Sequence, residues 1–237
     1  MKVAVVTPYY RESIDVLKRC MESVNYQTHK DVFHVMVADG FPNTFVATST
    51  PHHIVTPPCT DVGATPRMMG CAYASAAGAD ALIMLDADCW LDPQHIEILL
   101  KVHAQAPEAC IITYPRKVYN KDGSVYMGIC KGSNGVTFND TNCYFITRPA
   151  FSLMSSWGFQ IKQWALFSDH PVWAAVSLSG MPMVRTNSVK VNYPSDYIDH
   201  YKDFGFPIPD WAIRITARDG RSVKVSYKEL REQNDQR

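Results

Sequence analysis

Five short apolar runs, most of them separated by helical patterns, dominate the first 115 residues. The runs lie at 2–7, 31–40, 52–58, 81–85 and 109–115, and helical patterns lie at 12–27, 65–80 and 92–106. Continuous apolar runs of this length, rich in valine and isoleucine, are typical of strands that are buried on both faces. Their alternation with helices predicts an α/β fold, in which a mostly parallel, Rossmann-like sheet has helices on both faces.

The pattern changes after residue 115. Turn signals at Asp122-Gly123 and Asp219-Gly220 predict two hairpins. The other elements that we predict here are helices at 149–156 and 169–180, a strand at 182–193, an irregular aromatic loop at 194–210, and a last helix capped by Ser226 and Glu229. With no repeat or linker in sight, we expect one domain over 1–237, with a site-bearing half at 1–115 and a mixed α+β half at 116–237.

Composition excludes several classes of protein. Hydrophobic residues make up 46% of the chain and charged residues 19%, which argues against disorder. The formal net charge is zero, so the whole chain gives no signal for a nucleic acid or membrane partner. The seven cysteines form no Cys-x-x-Cys pair and predict reduced thiols in a cytoplasmic protein. No apolar segment reaches transmembrane length, so we expect any membrane contact to be peripheral.

Two acids end the fourth apolar run, in the stretch "ALIMLDADCWLDP" at 81–93. Asp86 and Asp88 follow that run, and Asp39 ends the second one. Ligands of open parallel sheets bind beyond the carboxyl ends of the strands, and grouped carboxylates repel unless a cation lies among them. We therefore predict a site for Mn²⁺ or Mg²⁺. The alternative is that both acids are solvated loop residues and that Asp92 caps the next helix.

Over about residues 3–193 the chain resembles the family 2 glycosyltransferases of the GT-A fold. "VAVVTPYYRESIDVLKRCMESVNYQ" is similar to the family's first strand, nucleotide loop and first helix, and "FHVMVADG" to its second strand. "GATPRMMGCAYASAAGADALIMLDADCWLDPQHIE" is similar to its arginine-bearing helix and Asp-x-Asp strand. "SDHPVWAAVSLSGMPMVRTNSVKVNY" resembles its Glu-Asp segment, with Ser168 in place of the usual glutamate.

The resemblance implies a role for each matching residue. The residues expected to bind the nucleotide part of a sugar donor are Thr7, Pro8, Tyr9, Asp39, Arg67, Asp86 and Ala87. Asp86 and Asp88 are expected to hold the metal, and a late histidine, here His200, to complete its shell. Asp169 is expected to act as the general base; the alternative role for Asp169 is a helix N-cap.

Other aromatic residues have two interpretations. The loop at 194–210 is either an acceptor-side lid or a segment that packs its rings on the sheet. Trp157 and Trp164 precede Asp169 and are either an acceptor wall or plain core.

The predicted function is metal-dependent transfer of a sugar, most simply from a UDP-sugar, to an acceptor hydroxyl with inversion. The two alternatives are a sugar-1-phosphate nucleotidyltransferase and a catalytically silent module that binds nucleotide sugars. A saccharide, a lipid-linked group or another hydroxyl compound remains open as acceptor. The basic hairpin (Arg214, Arg218, Arg221 and Lys224) is either a contact for an anionic acceptor, such as a lipid phosphate or a nucleic acid, or a solvated hairpin.

Overall fold

A seven-stranded, mostly parallel sheet forms the centre of the protein in a computed structural model that describes residues 1–235. The strands are β1 (Val3–Tyr9), β2 (Val32–Asp39), β3 (His53–Thr56), β4 (Ala81–Met84), β5 (Ile111–Thr113), β6 (Arg116–Tyr119), β7 (Tyr126–Ile129), β8 (Tyr144–Thr147), β9 (Met183–Arg185), β10 (Val191–Pro194), β11 (Ile213–Arg218) and β12 (Arg221–Ser226). The α-helices are α1 (Ile14–Asn25), α2 (Thr44–Ser49), α3 (Ala64–Ala76), α4 (His95–Gln105), α5 (Asp169–Leu178), α6 (Ile198–Asp203) and α7 (Tyr227–Asp235). The 3-10 helices are Thr141–Cys143, Arg148–Phe159 and Lys162–Phe167.

The alternation of side chains along β1 explains why the sheet is covered on both faces. Val3 and Val5 point into one core, which α1 and α4 cover. Ala4 and Val6 point into the opposite core, which α3 and α5 cover. Because every residue of β1 is buried, the strand has no polar face, as its unbroken apolar run predicts. The predicted α/β class is confirmed.

The middle of the sheet is more mixed than predicted. The strand order is β3-β2-β1-β4-β8-β5-β9, and β8 runs antiparallel to both of its neighbours. Strand β8, from the second half of the chain, separates β5 from β4. The two predicted halves therefore share one sheet, and residues before and after β8 are brought next to β4.

Three other predictions in the second half need correction. The single strand predicted at 182–193 is two strands, since β9 joins the large sheet and β10 pairs with β6 in a separate three-stranded sheet. The loop predicted at 194–210 contains α6. The helix predicted at 149–156 is of the 3-10 type. Both predicted hairpins are confirmed as β6–β7 and β11–β12, and Ser226 and Glu229 cap α7 reciprocally.

Gly70 lets α3 approach β1 closely. A Cβ atom at this position would lie 2.4 Å from Cγ1 of Val6 and 3.0 Å from Cγ2 of Val37. Alanine is favoured over glycine within a helix by about 1 kcal/mol, but overpacking typically costs about 1–3 kcal/mol, and β-branched valines in a strand adjust poorly. We therefore expect Gly70→Ala to lower the free energy of unfolding by up to about 2 kcal/mol in urea titrations. Ala72→Gly, on the exposed face of the same helix, is the control. A Gly70→Ala variant that is more stable than the wild type would contradict this close approach.

The carboxyl ends of the central strands meet at one edge of the sheet. Strand β2 ends at Asp39, β1 ends at Tyr9, and Asp86 follows β4 by two residues. These parallel strands therefore deliver the residues after them into a common crevice. Within residues 1–235, no helix combines the length and the apolarity needed to cross a bilayer.

Candidate active site

The two acids after β4 face the crevice, whereas the residue between them faces the core. Asp86 is partly exposed and Asp88 is exposed, but Ala87 is buried in a cluster with Tyr9 and Met36. This alternation places two carboxylates at the crevice. The side chain of Ala87 packs in the core, so the predicted donor contact from Ala87 would have to come from its backbone.

Asp86 is held by two partners. Its Oδ1 atom accepts a hydrogen bond from Arg67, whose guanidinium also donates to the carbonyl of Val62 at 2.9 Å. Its Oδ2 atom accepts from Nδ2 of Asn142 at 2.7 Å, and its backbone N–H donates to Oδ1 of Asn142 at 2.6 Å. Burial alone raises the pKa of Asp86, but the Arg67 charge and these hydrogen bonds hold that pKa below its usual value. Asp86 is therefore ionised, and it is a compensated acid in the sense that the charge of Arg67 balances its own.

Asn142 continues this arrangement to a second ion pair that the sequence analysis missed. Its Nδ2 atom lies 2.9 Å from Oδ1 of Asp140, and the other oxygen of Asp140 accepts from Arg116. Arg116 in turn lies 4.0 Å from the ring centroid of Tyr193. Two guanidinium groups are thus linked through two carboxylates and one amide. The polar cluster "NDTN" at 139–142, directly before an apolar run, was the available signal for this arrangement.

Replacing Asn142 tests whether this arrangement positions Asp86. Asn142→Ala removes the partner of the Asp86 backbone N–H and a donor to two carboxylates, and each unsatisfied buried group costs about 1–3 kcal/mol. We expect a loss of about 2 kcal/mol of unfolding free energy in urea titrations. Asn187→Ala, an exposed substitution of the same kind, is expected to change little. Unchanged stability of Asn142→Ala would show that water replaces the amide.

Asp88 has no such compensation. Among residues 1–235, its carboxylate receives one side-chain contact, from Sγ of Cys89 at 3.5 Å, and no cationic side chain lies within salt-bridge distance. Its side chain is open to solvent inside the crevice, where desolvation by the surrounding protein and the nearby charge of Asp86 raise its pKa to about 7. Asp88 is therefore the acid that most needs a cation.

A divalent cation fits the donor atoms at this point of the crevice. Asp86, Asp88 and Cys89 each offer a ligand atom, and these atoms lie within 4.8 Å of one another. Burial raises the pKa of the Cys89 thiol well above its ordinary value, so it stays protonated and is a poor ligand. The two carboxylates that remain are the ligands that Mg²⁺ and Mn²⁺ prefer.

Asp169 is the second uncompensated acid near this crevice. It is the first residue of α5, and Ser168 occupies the N-cap position without a side-chain cap bond. Burial, and next the charge of Asp140, raise the pKa of Asp169 to about 7, although the charges of Arg116 and Arg67 act in the opposite direction. Within residues 1–235 no side chain donates a hydrogen bond to it. Its carboxylate is therefore free to accept a proton.

Three of the predicted nucleotide contacts lie below the crevice surface. Thr7 is fully buried, and its hydroxyl group is 2.8 Å from Nε2 of His34. The hydroxyl group of Tyr9 is 2.7 Å from Nε2 of His53, and Pro8 is buried as well. These side chains support the strand end, because residues at the end of a fully covered strand remain in the core. Any contact of Thr7, Pro8 and Tyr9 with the base, which stays a prediction, would therefore have to come from their backbone.

The residues next along the chain supply an open surface instead. Tyr10 is 45% exposed, and its ring meets that of Phe41 edge-on at 4.8 Å. The guanidinium of Arg11 lies 3.9 Å from the ring centroid of Phe41. Asp39, directly before this surface, uses Oδ1 to accept from the backbone N–H of Cys59 at 2.7 Å. The structure thus places an aromatic surface beside Asp39, one residue beyond the predicted positions.

His200 does not join the carboxylates. It is buried, with Nδ1 at 2.6 Å from Oγ of Ser195 and Nε2 at 3.5 Å from Sγ of Cys130. Both ring nitrogens therefore have a neighbour in this structure, and the role of His200 in completing the metal shell stays a prediction.

Two other expectations have definite outcomes. Asp92 does not cap α4 through its side chain, which instead contacts Lys117 and Asn192. Trp157 is fully buried with its ring 5.1 Å from the guanidinium of Arg67, so it supports that arginine from the core. Trp164 is 38% exposed.

Comparison with known proteins gives one family and one fold. The model of the family described as "Glycosyl transferase family 2" matches residues 4–161. No curated protein sequence matches the chain at a significant level. Among solved structures, S. aureus TarS superposes with a TM-score of 0.61 at 11% identity, covering 85% of this chain and 38% of TarS. Residues 1–349 of TarS in complex with UDP superpose with a TM-score of 0.63 at 10% identity, covering 86% of this chain and 63% of that one. The chain thus spans less than two thirds of these neighbours, and their likeness shows the GT-A fold.

Proposed function

Because the chain belongs to glycosyl transferase family 2, we propose that it transfers a sugar from a nucleotide-diphosphate sugar to an acceptor hydroxyl with inversion. The observation that carries this proposal is the pair of uncompensated carboxylates, Asp88 and Asp169, beside a compensated one, Asp86. Such a transfer needs one acid for a cation and another for a proton, whereas the charges of Asp86 and Asp140 are already paired with those of Arg67 and Arg116. Family membership favours sugar transfer over the nucleotidyl transfer considered from the sequence.

A UDP-sugar is the donor that the crevice suits best. Tyr10 and Phe41 offer aromatic surface for a base, and Oδ2 of Asp39 is left for a base N–H because Oδ1 is already engaged. Arg67 can contact diphosphate oxygens through its remaining donors while it holds Asp86. The UDP in the TarS complex supports this choice of nucleotide.

Asp86 and Asp88 would hold Mn²⁺ or Mg²⁺ in this proposal. Bound there, the cation neutralises the charge that develops on the diphosphate leaving group. Arg67 keeps Asp86 ionised, and Asn142 fixes its orientation.

Asp169 would take the proton of the acceptor hydroxyl. A carboxylate with a pKa of about 7 is a better base near neutral pH than an ordinary aspartate, and its position at the start of α5 places it on a rigid element. As the acceptor oxygen bonds to the anomeric carbon, the bond from that carbon to the diphosphate breaks. Attack from the face opposite the leaving group gives the inverted product.

Calorimetric titration of UDP with and without Mn²⁺ tests the donor site before any acceptor is known. We expect UDP to bind only when the cation is present. In a separate assay, we expect slow hydrolysis of the matching UDP-sugar. GDP, CDP and dTDP serve as comparison nucleotides. Absence of binding by all four nucleotides in the presence of Mn²⁺ would overturn the proposal.

The seven free thiols support a reducing, cytoplasmic location for this reaction.

A further inference from the structure

An exposed apolar segment lies where the 3-10 helix Arg148–Phe159 ends and the 3-10 helix Lys162–Phe167 begins, and we name its residues 159–164 the apolar loop. Phe159 is 82% exposed, Ile161 64% and Trp164 38%. Single exposed apolar side chains are ordinary on soluble proteins, but three within six residues are a patch that needs an explanation.

The apolar loop adjoins the hairpin formed by β11 and β12. The hydroxyl group of Ser222 donates to the carbonyl of Gln163 at 3.2 Å and accepts from the backbone N–H of Leu166 at 3.3 Å. These two bonds fix β12 beside the loop. Because side chains alternate along a strand, Lys224, two residues from Ser222, lies on the face of the hairpin that adjoins the loop, whereas Arg221 and its partner Arg218 lie on the other face.

This surface is rich in unpaired cations. Lys162 lies in the apolar loop and Lys224 on the adjoining face of β12, and both are exposed. Neither lysine forms a salt bridge within the part of the chain that the structure describes. An anionic partner would balance these two charges.

We propose that the apolar loop and the adjoining face of this hairpin dock on a lipid bilayer that contains anionic lipids. Phe159, Ile161 and Trp164 would enter the interfacial region, while Lys162 and Lys224 would contact lipid phosphates. A bilayer fits better than a shaped partner, because Phe159 and Ile161 are mostly exposed and suit a fluid apolar medium that adapts to them. Tryptophan is moreover enriched at membrane interfaces.

The surface lies directly along the chain from the candidate active site. Trp157, beside Arg67, precedes the apolar loop, and Asp169 follows it by five residues. Docking would bring the proposed base close to the membrane, where the acceptor hydroxyl of a lipid-linked molecule is found. This choice of acceptor rests on the proposed function, whereas the docking does not.

Sedimentation with large vesicles tests the docking without donor or acceptor. We expect the protein to bind vesicles of equal parts phosphatidylcholine and phosphatidylglycerol, and to bind less as salt increases. Phe159→Ser with Ile161→Ser is expected to reduce the partition coefficient by about tenfold or more. Lys162→Glu with Lys224→Glu is expected to reduce it by about 30-fold or more. Tyr26→Ser, at a residue 70% exposed at the end of α1, is the matched control and should bind as the wild type does.

All of these substitutions are at exposed positions, so folding and UDP binding should be unchanged, and both are measured for each variant. Failure of the wild type to bind mixed vesicles, or equal binding by all variants, would overturn the docking. So would a dimer in solution that the same substitutions dissociate, since the patch would then join two copies of the chain. Failed UDP binding with intact vesicle binding would overturn the proposed transfer alone.

Discussion

Asp169→Asn is expected to lower the rate of sugar transfer by about 10²–10⁴-fold while UDP affinity stays within about twofold of the wild type. Asparagine keeps the shape of the side chain but cannot take up the proton of an acceptor hydroxyl. The donor contacts proposed above lie on other residues, so nucleotide binding should survive. The measurements are transfer kinetics and calorimetric titration of UDP in the presence of Mn²⁺. Asp203→Asn, an exposed acid on α6, is the control.

The pH dependence of transfer gives the same prediction a second test. Asp169 acts only when it is deprotonated, and its pKa is about 7. The wild-type kcat/KM should therefore rise with pH through about 7 and then level off. If Asp169→Asn keeps the wild-type activity and the same acidic limb, another group is the base. If it also loses UDP binding, the role of Asp169 is structural.

The stability of the same variant is expected to change in the opposite direction to its activity. The raised pKa means that the folded protein holds a proton on Asp169 at pH values where the unfolded chain has released it. Folding stability from this group is therefore fully present below about pH 4 and is lost as the pH rises to about 7. Asp169→Asn removes that loss, so it should be more stable than the wild type at about pH 8, by about 1–3 kcal/mol, and equally stable at about pH 4. Urea titrations at both pH values measure the difference.

The strands that build the crevice follow from local sequence. The unbroken apolar runs of β1, β2 and β4 need both faces covered, and the acids Asp39 and Asp86 interrupt or follow those runs where the strands end. Local pattern therefore predicted the sheet edge and two of its carboxylates. It did not show that the side chains of Ala87 and Tyr9 are buried, because the direction of a side chain at a strand end depends on the helix packed there, here α1.

The partners of these acids depend on contacts between distant parts of the chain. Asn142 is 56 residues from Asp86 in sequence and reaches it because β8 inserts beside β4. Cys130 is 70 residues from His200 and occupies the nitrogen that a metal would need. The insertion of an antiparallel strand between two others leaves no periodic pattern in the sequence of either neighbouring strand. The fold, and not the local sequence, therefore decides which acids have a partner and which do not.

Asp88→Asn is expected to abolish the metal dependence of UDP binding and to leave the fold intact. Asp88 is open to solvent and lacks a cationic partner, so its charge contributes nothing to an internal ion pair. In titrations with UDP, we expect the wild type to bind tightly only with Mn²⁺, and the variant to bind weakly with or without it. Removal of Mn²⁺ by a chelator should make the wild type behave as the variant does.

Asp86→Asn, two residues away, is expected to fail for a different reason. It leaves the buried guanidinium of Arg67 without its counter-charge, which costs about 3 kcal/mol of unfolding free energy. Urea titration therefore distinguishes the two substitutions: Asp86→Asn loses stability, and Asp88→Asn keeps it. If Asp88→Asn instead binds UDP with the wild-type response to Mn²⁺, the cation is held elsewhere. If both variants lose stability equally, Asp88 has a partner in the folded protein, and its charge is not reserved for a cation.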